Sequence, residues 1–165
     1  MILYITNQIN FKYLIFQACC FLNDENFFPA YSSITLLVDT FVKEAKMESK
    51  LGFTINIPSV YRISKADDDF FWIRKNLSNS KTMELMFYEV PLESISKGDS
   101  TIVDIVKLRN EITKNKIPGE DDIYMKVEDA YAPGMFETII DNKPAYEVRG
   151  LWTMEGYTMA GPFIT

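Results

Sequence analysis

The spacing of hydrophobic residues changes along the chain, and each spacing predicts a kind of element. Over residues 34–45, apolar side chains recur 3, 4, 7, 8 and 11 positions after Ile34, which is the spacing of one helical face. Ser32 and Ser33 offer an N-cap before this segment, and Gly52 offers a stop after it. We therefore expect a helix whose apolar stripe, with Leu37 near its centre, is buried against a sheet.

Two further segments predict helices. Residues 7–22 are dense in large apolar side chains at mixed spacing, which we interpret as a helix. Asp99 and Ser100 precede residues 101–114, in which Ile102, Ile105, Val106 and Ile112 have helical spacing.

From residue 53 onward most other segments alternate with a period of two, which indicates strands. The predicted strands there are residues 53–58, 59–64, 70–75, 82–90, 123–128, 135–140 and 145–154, with a last strand from about Tyr157. The short apolar segment of residues 1–6 is a further predicted strand. Consecutive strands separated by polar turns favour an antiparallel sheet. Together with the helices they predict an α+β fold, with an antiparallel β-sheet and helices packed on one face. We expect residues 1–30 to form a partial or replaced N-terminal segment and residues 31–165 to form the α+β domain.

Composition excludes several kinds of chemistry. The chain of 165 residues has a net charge of −6 and no basic stripe, which argues against nucleic-acid binding. It has no histidine, which excludes Ser-His-Asp and Cys-His catalytic systems and His-ligated zinc. Counted from Asp67, Trp72 and Ser78 stand where a calcium loop needs Gly and Glu. We therefore expect no metal and no cofactor, and no stretch is apolar for long enough to cross a bilayer.

The two cysteines are neighbours, Cys19 and Cys20. We interpret them as small buried residues, because a disulfide between neighbours is strained and the pair is not a CxxC motif. The alternative is a lipoprotein signal with Cys19 acylated. The apolar run before it, residues 13–16, is shorter than the 7–15 residues of a signal peptide's apolar core.

The segment YEVRGLWTMEGYTMAGPFIT, residues 146–165, offers the candidate functional residues Glu147, Arg149, Trp152 and Glu155. They suggest either a ligand platform of Arg charge and Trp stacking, or an acid/base pair of carboxylates as in glycosidases. The plainer interpretation is structural: Trp152 fills the core, Gly150 allows a bend or bulge, and Arg149 pairs with a carboxylate such as Glu147. We favour the structural interpretation and expect no catalytic residue.

Several short motifs follow one another in a specific order, at residues 51–58, 70–74, Arg109, 117–119, 124–125, 149–152 and 159–163. Their order resembles an uncharacterised domain-of-unknown-function family of envelope lipoproteins from Gram-negative bacteria. The motifs cover about two-thirds of the chain in span. Ala160 departs from the pattern, since the family has Gly there.

The resemblance implies a place and a fold but no activity. It implies a domain of the bacterial envelope or periplasm, where a non-catalytic interaction or structural module would bind an envelope protein. The alternative is a small-ligand binder or carboxylate-based hydrolase centred on Arg149, Trp152 and a nearby Glu. The family pattern continues beyond both ends, so we expect a truncated chain that self-associates through an apolar C-terminal edge at Phe163 and Ile164.

Overall fold

The computed structural model describes most of the chain. It gives the backbone of residues 2–7, 10–20, 42–45 and 55–58, and backbone and side chains of residues 60–77, 81–121, 123–140 and 142–165.

Strands dominate the described residues, because alternating apolar, β-branched and aromatic side chains suit a pleated surface. The strands are β1 (Ile2–Asn7), β2 (Asn10–Cys20), β3 (Val42–Ala45), β4 (Ile55–Pro58), β5 (Arg62–Ala66), β6 (Phe70–Asn76), β7 (Thr82–Pro91), β8 (Tyr124–Val127), β9 (Gly134–Ile140), β10 (Lys143–Glu155) and β11 (Tyr157–Ile164). Within the same residues there is one α-helix, α1 (Thr101–Lys116), and a short 3₁₀ turn at Leu92–Ser94.

The strands form two antiparallel sheets. β3 and β4 make a two-stranded sheet, and the other nine strands make one large sheet in the order β1-β10-β11-β2-β7-β6-β5, with β8 and β9 paired to β10. β2 is a central strand, since β7 pairs with one side of it and β1 and β11 pair with the other. The first twenty residues therefore contribute two strands to the same sheet as the C-terminal half of the chain.

The fold class predicted from the sequence was wrong, because the protein is mostly β and not α+β. The main error lies at residues 7–22, predicted as a helix, where strand β2 lies instead. A segment dense in apolar residues fits a strand as well as a buried helix, and periodicity alone does not distinguish the two. Cys19 and Cys20 are thus the last residues of a strand.

The helix predicted over residues 34–45 was also wrong at its C-terminal end. Val42–Ala45 form strand β3, which pairs with β4 from Val42↔Pro58 to Ala45↔Ile55. Leu37 and the rest of the apolar stripe up to Phe41 lie outside the described residues.

Helix α1 confirms the prediction for residues 101–114. Its buried residues recur every four positions, at Thr101, Ile105, Arg109 and Thr113. Thr113 Oγ1 donates to the carbonyl of Met125 at 2.6 Å, and the side-chain oxygen of Asn110 accepts from Val127 N at 2.8 Å. These two bonds attach the helix to strand β8.

The core lies where α1 meets β6, β7, β8, β10 and β11. It contains Phe70, Met86, Tyr88, Val90, Ile95, Ile105, Met125, Val127, Val148, Trp152 and Phe163. Phe163 and Ile164, predicted to lie on an open edge, are buried and pair with both β10 and β2.

Candidate functional site

A gap beside strand β10 creates a concave surface. On one side, β10 pairs with β11 over most of its C-terminal half. On the other side, β9 pairs with residues 143–148 and β8 pairs with residues 152–155. Residues 149–151 lie between these two partners. The loop that joins β8 to β9 runs alongside this stretch, and Glu128 N donates to the carbonyl of Leu151 at 2.9 Å.

The cleft at this gap has a volume of about 610 Å³. Its described lining is largely apolar: Tyr131, Ala132, Gly134, Phe136, Arg149, Gly150, Leu151, Pro162 and Phe163. Tyr131 is 62% exposed and Phe136 is 52% exposed, so both aromatic rings present apolar surface to a bound molecule. We call this surface the β10 cleft.

Gly150 lines the β10 cleft, and two neighbouring side chains approach its backbone closely. A Cβ atom there would lie 2.8 Å from Phe163 Cε1 and 3.0 Å from Pro133 Cβ. The strand irregularity expected at Gly150 lies instead between Thr153 and Met154. Glycine is needed at position 150 for close packing and not for a bulge.

Arg149 is the charged residue of the described cleft lining. Its Nε donates to Oε1 of Glu147, and its guanidinium carbon lies 5.3 Å from the centroid of the Phe136 ring. Register explains both contacts: Glu147 is two residues away on the same face of β10, and Phe136 pairs directly with Glu147. The Arg149 side chain remains 47% exposed.

The other predicted site residues lie elsewhere. Trp152 is on the opposite face of β10 from Arg149, and its side chain is 0% exposed within the core. Glu155 lies at the end of β10, where Oε2 of its carboxylate is 2.9 Å from Lys126 Nζ. That carboxylate and then Asp129, as hydrogen-bond acceptors, raise the pKa of Lys126 above its ordinary value. The structure thus brings Arg149 and Glu147 together and separates them from Trp152 and Glu155.

Sequence reasoning missed Tyr131, Phe136 and Leu151 as cleft residues. Phe136 was assigned correctly to a strand, and Tyr131 to a turn. The available signal was a pair of aromatic residues on either side of a Pro-Gly turn, Pro133-Gly134. Their proximity to Arg149 depends on the register of β9 against β10, and this register cannot be inferred from spacing along the chain.

A second polar cluster surrounds the buried carboxylate of Glu84 on β7. Arg74 Nε donates to its Oε1 at 2.9 Å, Thr82 Oγ1 donates to the same oxygen at 3.0 Å, and Trp72 Nε1 donates to Oε2. Both carboxylate oxygens therefore already accept hydrogen bonds. The bonds from Arg74 and Trp72 join β6 to β7, which indicates a structural role for the cluster.

The acidic turn at residues 67–69 binds a lysine. Lys116 Nζ, at the end of α1, lies 2.8 Å from Asp69 Oδ1 and 3.7 Å from Asp67 Oδ2. The hydrogen bond to Asp69 is the main cause that raises the pKa of Lys116. Across the part of the chain that the structure describes, no group of three or more Cys, Asp and Glu side chains could hold a metal ion. In that same part, no helix is both long enough and apolar enough to cross a bilayer.

Comparison with known proteins gives a family but no activity. Residues 40–165 match the family described as Domain of unknown function (DUF4837). No curated protein and no solved structure matches the chain.

Proposed function

We propose that this chain, which belongs to the DUF4837 family, is a non-catalytic binding module that acts through the β10 cleft. The observation that supports this most is the cleft itself, about 610 Å³ in volume and lined by the exposed rings of Tyr131 and Phe136. Clefts of roughly 300–1,000 Å³ with mostly apolar walls and few polar groups are the usual form of ligand sites. Aromatic side chains are also the usual anchors of binding surfaces.

The placement of the carboxylates supports binding over hydrolysis. Glu147 and Glu155 are eight residues apart on one strand, which places their Cα atoms about 26 Å apart at a rise of about 3.3 Å per residue. Glycosidase carboxylates act at separations of roughly 5–10 Å. Glu147 is paired with Arg149, Glu155 with Lys126, and Glu84 with Arg74.

The place of action that we propose is the bacterial cell envelope, where the module would bind an envelope protein or a small molecule. The support is the resemblance of the motifs at residues 70–74, 117–119 and 149–152 to envelope lipoproteins. Fractionation of native cells with an antibody against the domain tests this. We expect recovery with the envelope fraction, and recovery with the cytosol would contradict the proposal.

Binding through the cleft is testable by NMR with the ¹⁵N-labelled chain and a library of small aromatic fragments. We expect bound fragments to shift the backbone amide signals of Tyr131, Phe136 and Leu151. We also expect the fragments to remain chemically unchanged. Hits that map only outside the cleft, or no hits at all, would reject the proposal. Turnover of a fragment would reject the non-catalytic part.

A matched pair of variants separates the cleft from general exposed apolar surface. Phe136→Ser removes a ring that is 52% exposed on β9, and Ile63→Ser removes a side chain that is 47% exposed on β5 at the far edge of the sheet. We expect Phe136→Ser to weaken fragment binding several-fold and Ile63→Ser to leave it unchanged. Equal weakening by both would indicate nonspecific adhesion.

A further inference from the structure

We infer that the ligand of the β10 cleft is a small monocarboxylate with an apolar body, an inference that rests on the binding function proposed above. The carboxylate would bind the guanidinium of Arg149, and the apolar body would cover Tyr131, Phe136 and Leu151. Two observations support this ligand class: the hydrogen-bonding state of Arg149 and the small number of polar groups in the lining.

Arg149 keeps donors for an anion although it already has a partner. Its contacts in the structure are the Nε bond to Glu147 and the stacking over Phe136. The two terminal nitrogens make no hydrogen bond to any described residue, and the side chain is 47% exposed. Arginine offers five N–H donors in a rigid fork, so a second carboxylate can bind the terminal pair while Glu147 retains Nε.

Phe136 strengthens this arrangement by holding the guanidinium in place. A cation stacked on a ring loses less side-chain freedom when it binds an anion than one that is fully mobile. Glu147 fixes the same group through its bond to Nε. The fork is therefore positioned before a ligand arrives, which lowers the entropic cost of binding.

The rest of the lining favours an apolar body over a peptide. Apart from Arg149, the described lining residue with a polar side-chain atom is Tyr131. The carbonyl of Leu151 already accepts a bond from Glu128 N. A peptide would bring one N–H and one C=O per residue into this surface, and each buried polar group without a partner costs about 1–3 kcal/mol. An alkyl or aryl chain carries no such penalty.

The net charge of the protein implies that recognition of the anion is local. At −6, the chain repels anions at long range. The preference for a carboxylate must therefore come from contact with Arg149. This makes the contribution of a single side chain measurable.

Calorimetry of the full chain with three probes of one chain length tests the inference: decanoate, decan-1-ol and decylamine. A hydrogen-bonded charge pair is worth about 1.5–3 kcal/mol, or about ten-fold in affinity or more. We expect decanoate to bind at least about ten-fold more tightly than decan-1-ol, with decylamine weakest. Arg149→Gln should abolish the advantage of decanoate and leave the affinity for decan-1-ol unchanged.

Two further variants sharpen the result. Glu147→Gln keeps an acceptor oxygen for Nε of Arg149 but removes a nearby negative charge that repels the ligand carboxylate, so it should increase the affinity for decanoate. Arg62→Gln removes an exposed arginine on β5, whose terminal nitrogen bonds Asn76 at 3.2 Å, and should have no effect. Circular dichroism of each variant verifies the fold.

The outcomes that overturn the inference differ from those that reject the binding function. Equal affinities for decanoate and decan-1-ol, or an unchanged decanoate affinity in Arg149→Gln, would overturn the carboxylate class while a binding cleft remained. Tighter binding of an amidated apolar tripeptide than of decanoate would do the same and indicate a peptide ligand. Failure of all probes and of the aromatic fragments to bind the cleft would reject both.

Discussion

Arg74 and Glu84 lie directly opposite each other on strands β6 and β7, and Nε of Arg74 donates to Oε1 of Glu84 at 2.9 Å. The Glu84 side chain is 2% exposed, whereas that of Arg74 is 32% exposed. Trp72 and Thr82 donate to the same carboxylate. A one-residue shift between these strands would separate the buried Glu84 from its two cross-strand donors, Arg74 and Trp72, so the pair favours the observed register.

Removing the buried carboxylate should destabilise the protein. We expect Glu84→Ala to lower the free energy of unfolding by about 2–3 kcal/mol, since three partly buried donors lose their acceptor. Urea denaturation measures this. The control is Glu137→Ala on the exposed strand β9, which should lower the free energy of unfolding by about 0.5 kcal/mol or less. Equal effects of the two substitutions would mean that the Glu84 cluster does not stabilise the fold.

A methyl group at position 150 should also be costly. We expect Gly150→Ala to destabilise by about 1–3 kcal/mol, because its Cβ would overlap the Phe163 ring in the core. Gly134→Ala is the control, since its Cβ would contact the exposed ring of Phe136, which can move. Phe163→Leu in the Gly150→Ala background should recover part of the loss; no recovery would contradict the packing explanation.

Trp152 and Arg149 should respond differently to substitution although they are three residues apart. Trp152→Ala empties a fully buried site and should cost about 3–5 kcal/mol. Arg149→Gln removes an exposed ion pair and should change the free energy of unfolding by about 1 kcal/mol or less. Thermal denaturation of both variants decides whether Arg149 is free to serve a ligand or is required by the fold.

Stability in acid should depend on Asp104. Its carboxylate accepts a hydrogen bond from Ser96 N at 2.8 Å, and this bond lowers the pKa of Asp104 below its ordinary value of 3.8. A lowered folded-state pKa contributes stability above the unfolded value, and that stability is lost as the pH falls through the folded-state pKa.

The Asp104→Asn variant isolates this contribution. We expect its denaturation midpoint to lie below that of the unsubstituted protein near neutral pH, with the two midpoints converging in acid below about pH 4. A series of denaturation curves across this range provides the measurement. A difference that stays constant into strong acid would show that the ionised form of Asp104 is not involved.

The sequence alone determined the elements in which local pattern and burial agree. Most of strands β5 to β11 are bounded by polar turns and have one apolar face. Helix α1 begins directly after Asp99 and Ser100 and contains apolar residues at helical spacing, although Ser100 makes no side-chain cap hydrogen bond. In these segments the spacing of apolar side chains depends only on neighbouring residues, so a short stretch of sequence is enough to predict a helix or a strand. The burial of Trp152 and the pairing of Arg149 with Glu147 were also predictable, because both follow from alternation along β10.

Only the tertiary structure decided what β2 is and where the cleft lies. β2 is a strand because β7 pairs with one side of it and β1 and β11 pair with the other, and both β7 and β11 lie far from it in the sequence. The cleft exists because β9 ends its pairing with β10 at Val148 and β8 begins at Trp152, which leaves Arg149 beside Phe136 and Tyr131. Strand register and the length of each pairing are set by contacts between segments that are distant in sequence, so they cannot be predicted from the local spacing of residues.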